Sequence, residues 1–178
     1  MENLDAALMD LLKQNKSLYK TLIDKFTFGV SDKVPTASVT WDKNKKQFEV
    51  MVNRKLEREL TVNQIKAMLI HEISHVFMLH LFRVGNMRMN KFNVAADLII
   101  NEGSHEIRRE LRPLFPNAVW IDTVKLKGPL PENREDWTAE LVYELLEDAE
   151  DNWDDHGGLS EPDPDVMDEV RDMVAIIQ

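Results

Sequence analysis

The stretch from Ile65 to Phe82 is apolar around nearly a whole helical wheel, yet it carries two histidines and a glutamate within five residues. A helix that is apolar all round belongs inside a protein, so the fold has to be built around this segment. His71, Glu72 and His75 are carried inside with it. Polar groups buried without partners cost roughly 2–7 kcal/mol each, so the three need something to bind. Residues 71–75 read His-Glu-Ile-Ser-His. Helix positions four apart lie one turn above each other on one face, with Cβ atoms about 5–6 Å apart. Both imidazoles can therefore reach one tetrahedral cation. Glu72 lies about 100° round from His71 and about 60° from His75. Its carboxylate can act on a water at that cation without displacing it. This is the H-E-x-x-H pattern, whose chemistry is hydrolysis at a zinc ion with the glutamate as general base.

The segment is well bounded. Thr61 and Gln64 have the spacing of a capping box, and Gly85 supplies a stop with Arg83 in the last turn; the pattern predicts a helix over 62–84. Upstream, Leu4, Leu8, Leu11, Leu18, Leu22 and Phe26 repeat at helical spacing, predicting an amphipathic helix over 3–26 with Asn15 as a candidate break. Residues 37–42 and 47–53 read as strands joined by Lys43-Asn44-Lys45-Lys46, and Phe48, Val50 and Val52 alternate with period two. Downstream, helices are expected at 91–102, in a charged turn or two over 104–112, at 137–150 and at 165–177. Pro113, Pro116, Pro129 and Pro131 make 113–136 irregular, and Gly157-Gly158 with Pro162 and Pro164 form a linker. The predicted class is α+β and mainly helical, with a small hairpin ahead of the motif helix. Residues 1–156 form the main domain, and 157–178 form a linker and a C-terminal amphipathic helix.

At 178 residues such a domain can bury a substantial core. The chain has no cysteine, which removes disulfides and thiolate ligands, leaves any metal to nitrogen and oxygen, and fits an intracellular setting. Met1 to Leu12 carries Glu2, Asp5 and Asp10 without a basic region, unlike a secretory signal, and no apolar run reaches membrane-spanning length. The expected place is the cytoplasm, with no membrane partner. Charge is uneven. Residues 131–178 hold 2 Lys+Arg against 17 Asp+Glu, so of the totals 22 and 32 the first 130 residues hold 20 and 15. The acidic part reads first as a solvated helix face and solubilising tail; a basic protein partner, or attraction between the two halves, is the alternative. The basic residues are scattered without interleaved aromatics, so no nucleic-acid partner is expected. Oligomeric state is left open.

A catalytic zinc takes three protein ligands and keeps one position open. His80 lies nine residues after His71, about 180° round an uninterrupted helix, and is read as a structural or rim histidine. Asp97 is the stronger candidate: it stands within Val94-Ala95-Ala96-Asp97-Leu98-Ile99-Ile100, where an isolated carboxylate is costly. Asn93, Asp97 and Asn101 form one polar stripe at i, i+4 and i+8. They read as a ligand flanked by groups able to accept the free N–H of a ligating imidazole. Glu102 and His105 remain as reserves. Tyr143 and His156, the latter within an acidic run, are candidate donors to a developing oxyanion.

With these residues in view, the chain resembles the zincin metallopeptidases. The resemblance is narrower to a metallopeptidase domain of bacterial and phage proteins that often precedes a von Willebrand A-like domain. It is carried by HEISHVFMLH (71–80), NVAADLIIN (93–101), WTAELVYELL (137–146) and, more weakly, WDDH (153–156). It implies a zincin-like fold, His71, His75 and Asp97 as zinc ligands, and Glu72 as catalytic base. It also implies host cytoplasm as the location if the protein is phage-encoded. The layout is similar to the gluzincin pattern, in which an acidic ligand follows the second histidine by some twenty residues; here the gap is 22. Asn101 stands where that pattern has an acidic residue supporting a ligating histidine. The leading expectation is a zinc-dependent peptidase acting on an intracellular protein or peptide. The alternative is a catalytically idle metal-binding fold, working as an adaptor or inhibitor through its acidic C-terminal part.

Overall fold

This computed structural model of the chain describes residues 1–14 and 24–148. In chain order it contains α1 (Glu2–Gln14), β1 (Phe26–Ser31), β2 (Ala37–Asp42), β3 (Gln47–Asn53), α2 (Arg54–Glu59), α3 (Val62–Phe77), α4 (His80–Arg83), α5 (Met89–Gly103), α6 (His105–Leu111), a 3-10 turn (Arg134–Asp136) and α7 (Ala139–Leu145). The described part is mainly helical with one three-stranded sheet, the expected α+β class. The expected linker, the helix at 165–177 and His156 lie outside the described residues.

The sheet has the order β1-β3-β2. β2 and β3 form the expected hairpin, with Ala37 opposite Val52 and Trp41 opposite Phe48. Its turn is held by Asp42, whose Oδ1 accepts the backbone N–H groups of Asn44 (2.9 Å) and Lys45 (3.1 Å). Phe48, Val50 and Val52 are fully buried, as their alternation demands. β1 pairs with β3 in parallel, Phe26 opposite Phe48. The expected helix over 3–26 is therefore too long, since Phe26 opens a strand. Leu22 and Phe26 have helical spacing, but Phe26, Phe28 and Val30 also alternate, and pairing with β3 decides between the two periods.

Against the sheet packs α3, which also contacts α1, α5 and α6. Its start is the expected capping box: Gln64 N–H donates to Thr61 Oγ1 at 3.3 Å, and Thr61 N–H to Gln64 Oε1 at 2.9 Å. Ile65, Ala67, Met68, Leu69, Ile73 and Val76 are buried in the main core with the sheet and α1. Lys66, buried on the same helix, bonds Asp10 of α1 (2.8 Å) and Glu106 of α6 (3.0 Å).

The expected helix over 62–84 is interrupted. α3 ends at Phe77, and Leu79 takes a left-handed conformation at φ 56, ψ 26 before α4 begins. For a residue with a Cβ that conformation costs roughly 1–2 kcal/mol, so surrounding contacts enforce it. Arg83 donates from Nη1 to the Met78 carbonyl at 3.0 Å, satisfying a group the break would otherwise orphan. The same guanidinium makes a two-point ion pair with Glu140 of α7. Gly85 turns the chain at φ 54, the stop expected of it, one short helix later.

On the other side of α3 lies α5, whose Val94, Ala95 and Leu98 pack with Val142 and Leu146 of the α7 region and with Val119. The proline-rich stretch is irregular, as expected, but firmly tied. Glu102 at the end of α5 is buried and accepts Arg108 (2.8 Å), Arg134 (2.9 Å) and the Ile121 N–H (3.1 Å). α7 is shorter than the expected 137–150, because Leu146 leaves the helix to bridge Leu126. Among the described residues no helix is long and apolar enough to cross a membrane.

Candidate metal centre

α3 and α5 meet where His71, His75 and Asp97 face one another. His71 Nε2 and His75 Nε2 are 3.1 Å apart, and Asp97 Oδ1 lies 3.3 Å from the first and 3.0 Å from the second. Zinc ligands at about 2.0–2.1 Å from the ion in tetrahedral directions are separated by roughly 3.3–3.4 Å. The triangle fits such an ion with a small outward adjustment. His75 is buried, whereas the His71 and Asp97 side chains keep 15% and 21% exposure. The cluster is therefore open on one side, as a catalytic rather than a structural site requires.

The far side of each imidazole is occupied. His71 Nδ1 is 2.9 Å from Asn101 Oδ1, and Asn101 Nδ2 donates to the Val119 carbonyl at 2.9 Å. That second bond orients the amide, so its oxygen faces His71, and His71 Nδ1 must carry a proton. Nε2 is left facing His75 and Asp97. His75 Nδ1 meets His80 Nδ1 at 3.3 Å, with His80 only 1% exposed. Burial, aided by the neighbouring His75 and Arg83, pushes the His80 pKa down to about 3. With a cation at His75 Nε2, the His75 proton sits on Nδ1 and a neutral His80 can accept it through its own Nδ1. Each of the two imidazoles is thus backed by a polar partner at its Nδ1.

His80 does not point away from the cluster, as an unbroken helix would have it. The left-handed Leu79 replaces helical rotation at that point and returns His80 to the back of His75. A glycine would have signalled such a break; leucine carries no such signal. His80 joins no metal-ligand group with the other three. Of the reserve ligands, Glu102 is committed to Arg108, Arg134 and Ile121, and His105 is exposed at the start of α6. The Tyr143 hydroxyl accepts the Arg88 N–H at 3.2 Å, and its ring carries Lys91; it does not line the cleft around the cluster.

That cleft, about 190 Å³, is lined by Glu72, the three clustered side chains, Asn93 and Asn101, by residues 35–39 at the start of β2, and by an apolar wall including Met68, Phe115 and Trp120. Glu72 is half-buried, and its desolvation raises its pKa above the 4.5 of a free glutamate against the pull of the two histidines. Burial alone would lower the His71 pKa, but the Asp97 carboxylate outweighs it and holds the group up at about 9. Asp97 is resisted by burial and overcome by the two imidazoles, so its carboxyl stays well below the usual range. The raised His71 and lowered Asp97 describe an ion pair whose positive member a bound cation would replace.

No curated protein and no solved structure matches the chain. A sequence model for a family described as "Putative metallopeptidase domain" matches residues 20–169. That span takes in the whole cluster and most of the chain, and the chain belongs to this metallopeptidase-domain family.

Proposed function

We propose that the protein is a zinc-dependent peptidase, with His71, His75 and Asp97 holding the ion and Glu72 as general base. The observation that carries this reading is the convergence of two Nε2 atoms and one carboxylate oxygen on a cleft that Glu72 also lines. When bound, zinc supplies a Lewis acid that activates water and polarises a carbonyl. Asn101 and His80 keep the two imidazoles in register through their Nδ1 atoms. Glu72 accepts the proton from the attacking water as the C–O bond forms, then delivers it to the amine nitrogen as the C–N bond breaks. Its raised pKa suits both halves of that transfer.

β2 suggests how a peptide would lie. Thr36 accepts the Asn53 N–H through its carbonyl at 2.7 Å, and antiparallel backbone alternates its direction. Ala37, Val39 and Trp41 therefore present their N–H and C=O groups to the free edge. Among the described residues no strand pairs with that edge. An extended peptide adding there would run along the cleft, with an apolar side chain against Met68, Phe115 and Trp120. The absence of cysteine favours an intracellular protein or peptide as substrate.

The test is Glu72→Gln in the full chain. Cleavage of a peptide library should fall by a factor of about 10²–10⁴, with bound zinc unchanged at one per chain. A variant as active as wild type, or purified protein that binds no metal, would defeat the reading. A biological effect that survives Glu72→Gln would favour the idle adaptor instead, which only the acidic charge after residue 130 supports.

A further inference from the structure

Asn93 stands on α5 one turn before Asp97, on the same face as Asp97 and Asn101. Its two neighbours along this polar stripe are fully employed. Asn101 bonds both His71 and Val119, and Asp97 meets both histidines. Asn93 is different. The residue is 3% exposed, it lines the cleft, and neither Nδ2 nor Oδ1 has a hydrogen-bond partner. A buried amide left unsatisfied is destabilising, and an apolar side chain of the same shape would avoid that cost. Nothing in the folding of α5 needs an amide at this place: Phe92, Val94, Ala95 and Ala96 beside it are all fully buried and apolar.

We propose that Asn93 is a substrate-positioning residue whose amide hydrogen-bonds a main-chain peptide group of the bound polypeptide. A primary amide offers two N–H donors and a carbonyl acceptor, which match the C=O and N–H of a peptide unit and carry no preference for side chains. The unmade bonds are then completed on binding, within a site from which water has been removed. Asn93 hydrogen-bonds neither imidazole, so its contribution is separate from holding the ion. This inference rests on the peptidase reading and extends it to how the chain to be cut is gripped.

Asn93→Leu tests it, since leucine keeps the branching and approximate size while deleting the amide. Three measurements on the full chain are needed: thermal unfolding, zinc affinity by chelator competition, and cleavage of an internally quenched random peptide library. The expected result is a melting temperature higher by about 2–4 °C, zinc affinity within twofold of wild type, and kcat/KM down about tenfold, chiefly through KM. A lower melting temperature would mean that the amide has a structural partner or a buried water, and would overturn the proposal. So would a higher melting temperature with unchanged kcat/KM. Wild-type protein that takes up zinc and cleaves nothing would overturn the peptidase reading and this proposal together, which separates that failure from one confined to Asn93.

Discussion

His80→Leu should weaken zinc binding about 10–100-fold while leaving the metal-free protein nearly as stable as wild type. The magnitude follows from the His75–His80 contact. With zinc on Nε2, His75 must carry its proton on Nδ1, which faces His80 Nδ1 at 3.3 Å in a buried setting. Leucine offers no acceptor there. A buried N–H deprived of its partner costs about 1–3 kcal/mol, and at about 1.4 kcal/mol per tenfold that range spans the loss usual for partners behind a ligating histidine. Without metal the penalty largely disappears, because His75 can move its proton to Nε2 and donate to Asp97 Oδ1, 3.0 Å away. The effect should therefore appear in the metal-bound state alone. Chelator competition measures the zinc Kd, and urea unfolding of chelator-treated protein measures the other arm. His80→Asn, whose Oδ1 falls near the place of the imidazole Nδ1, should recover most of the affinity. The reasoning is refuted if His80→Leu binds zinc within threefold of wild type, or if it destabilises metal-free protein as much as it weakens binding.

The metal-free protein should be pH-sensitive in a defined direction. His71 has a pKa raised from 6.5 to about 9, so its stabilisation is fully present below pH 6.5 and lost as pH rises through 9. Asp97, held well below its usual range, stays ionised throughout. Urea midpoints of chelator-treated protein should fall between pH 6 and pH 9.5, and Asp97→Asn should flatten that slope. Zinc affinity should rise about tenfold per pH unit up to about pH 9, with one proton released per ion, readable by titration calorimetry in buffers of different ionisation enthalpy. On the edge strand, Val39→Pro deletes an outward N–H, sacrifices the packing of a buried side chain, and should lower peptide cleavage several-fold beyond what its loss of stability explains. Ser38→Pro deletes a bond to β3 and should destabilise the fold by about 1 kcal/mol or more. Equal effects of the two on cleavage, at matched stability, would dismiss β2 as the peptide-binding edge.

Legibility followed the range of the interactions. His71, Glu72 and His75 lie within a single turn or so of helix, so their shared face is a property of helical geometry and could be read directly. The capping box at Thr61–Gln64 and the alternation of Phe48, Val50 and Val52 are equally local, and both stand as expected. Asp97 was legible by a different argument: a carboxylate in an apolar helix needs a strong partner wherever the helix goes. Asn93 and Asn101 each stand four residues from Asp97, and helical spacing treats them alike; the gluzincin resemblance set Asn101 apart. In physical terms, the packing of the 113–136 stretch, which places the Val119 carbonyl against Asn101, separates the amide that backs His71 from the one left unpaired.

Composition and helical periodicity alone place two histidines and a glutamate on one buried helix and leave any metal to nitrogen and oxygen donors, because neither needs knowledge of the rest of the chain. Tertiary structure alone decided three things: that Phe26 opens a strand, that Leu79 adopts a left-handed turn, and that His80 consequently backs His75. Each depends on contacts between segments distant in the chain, whose free energies outweigh the local preferences of the residues involved.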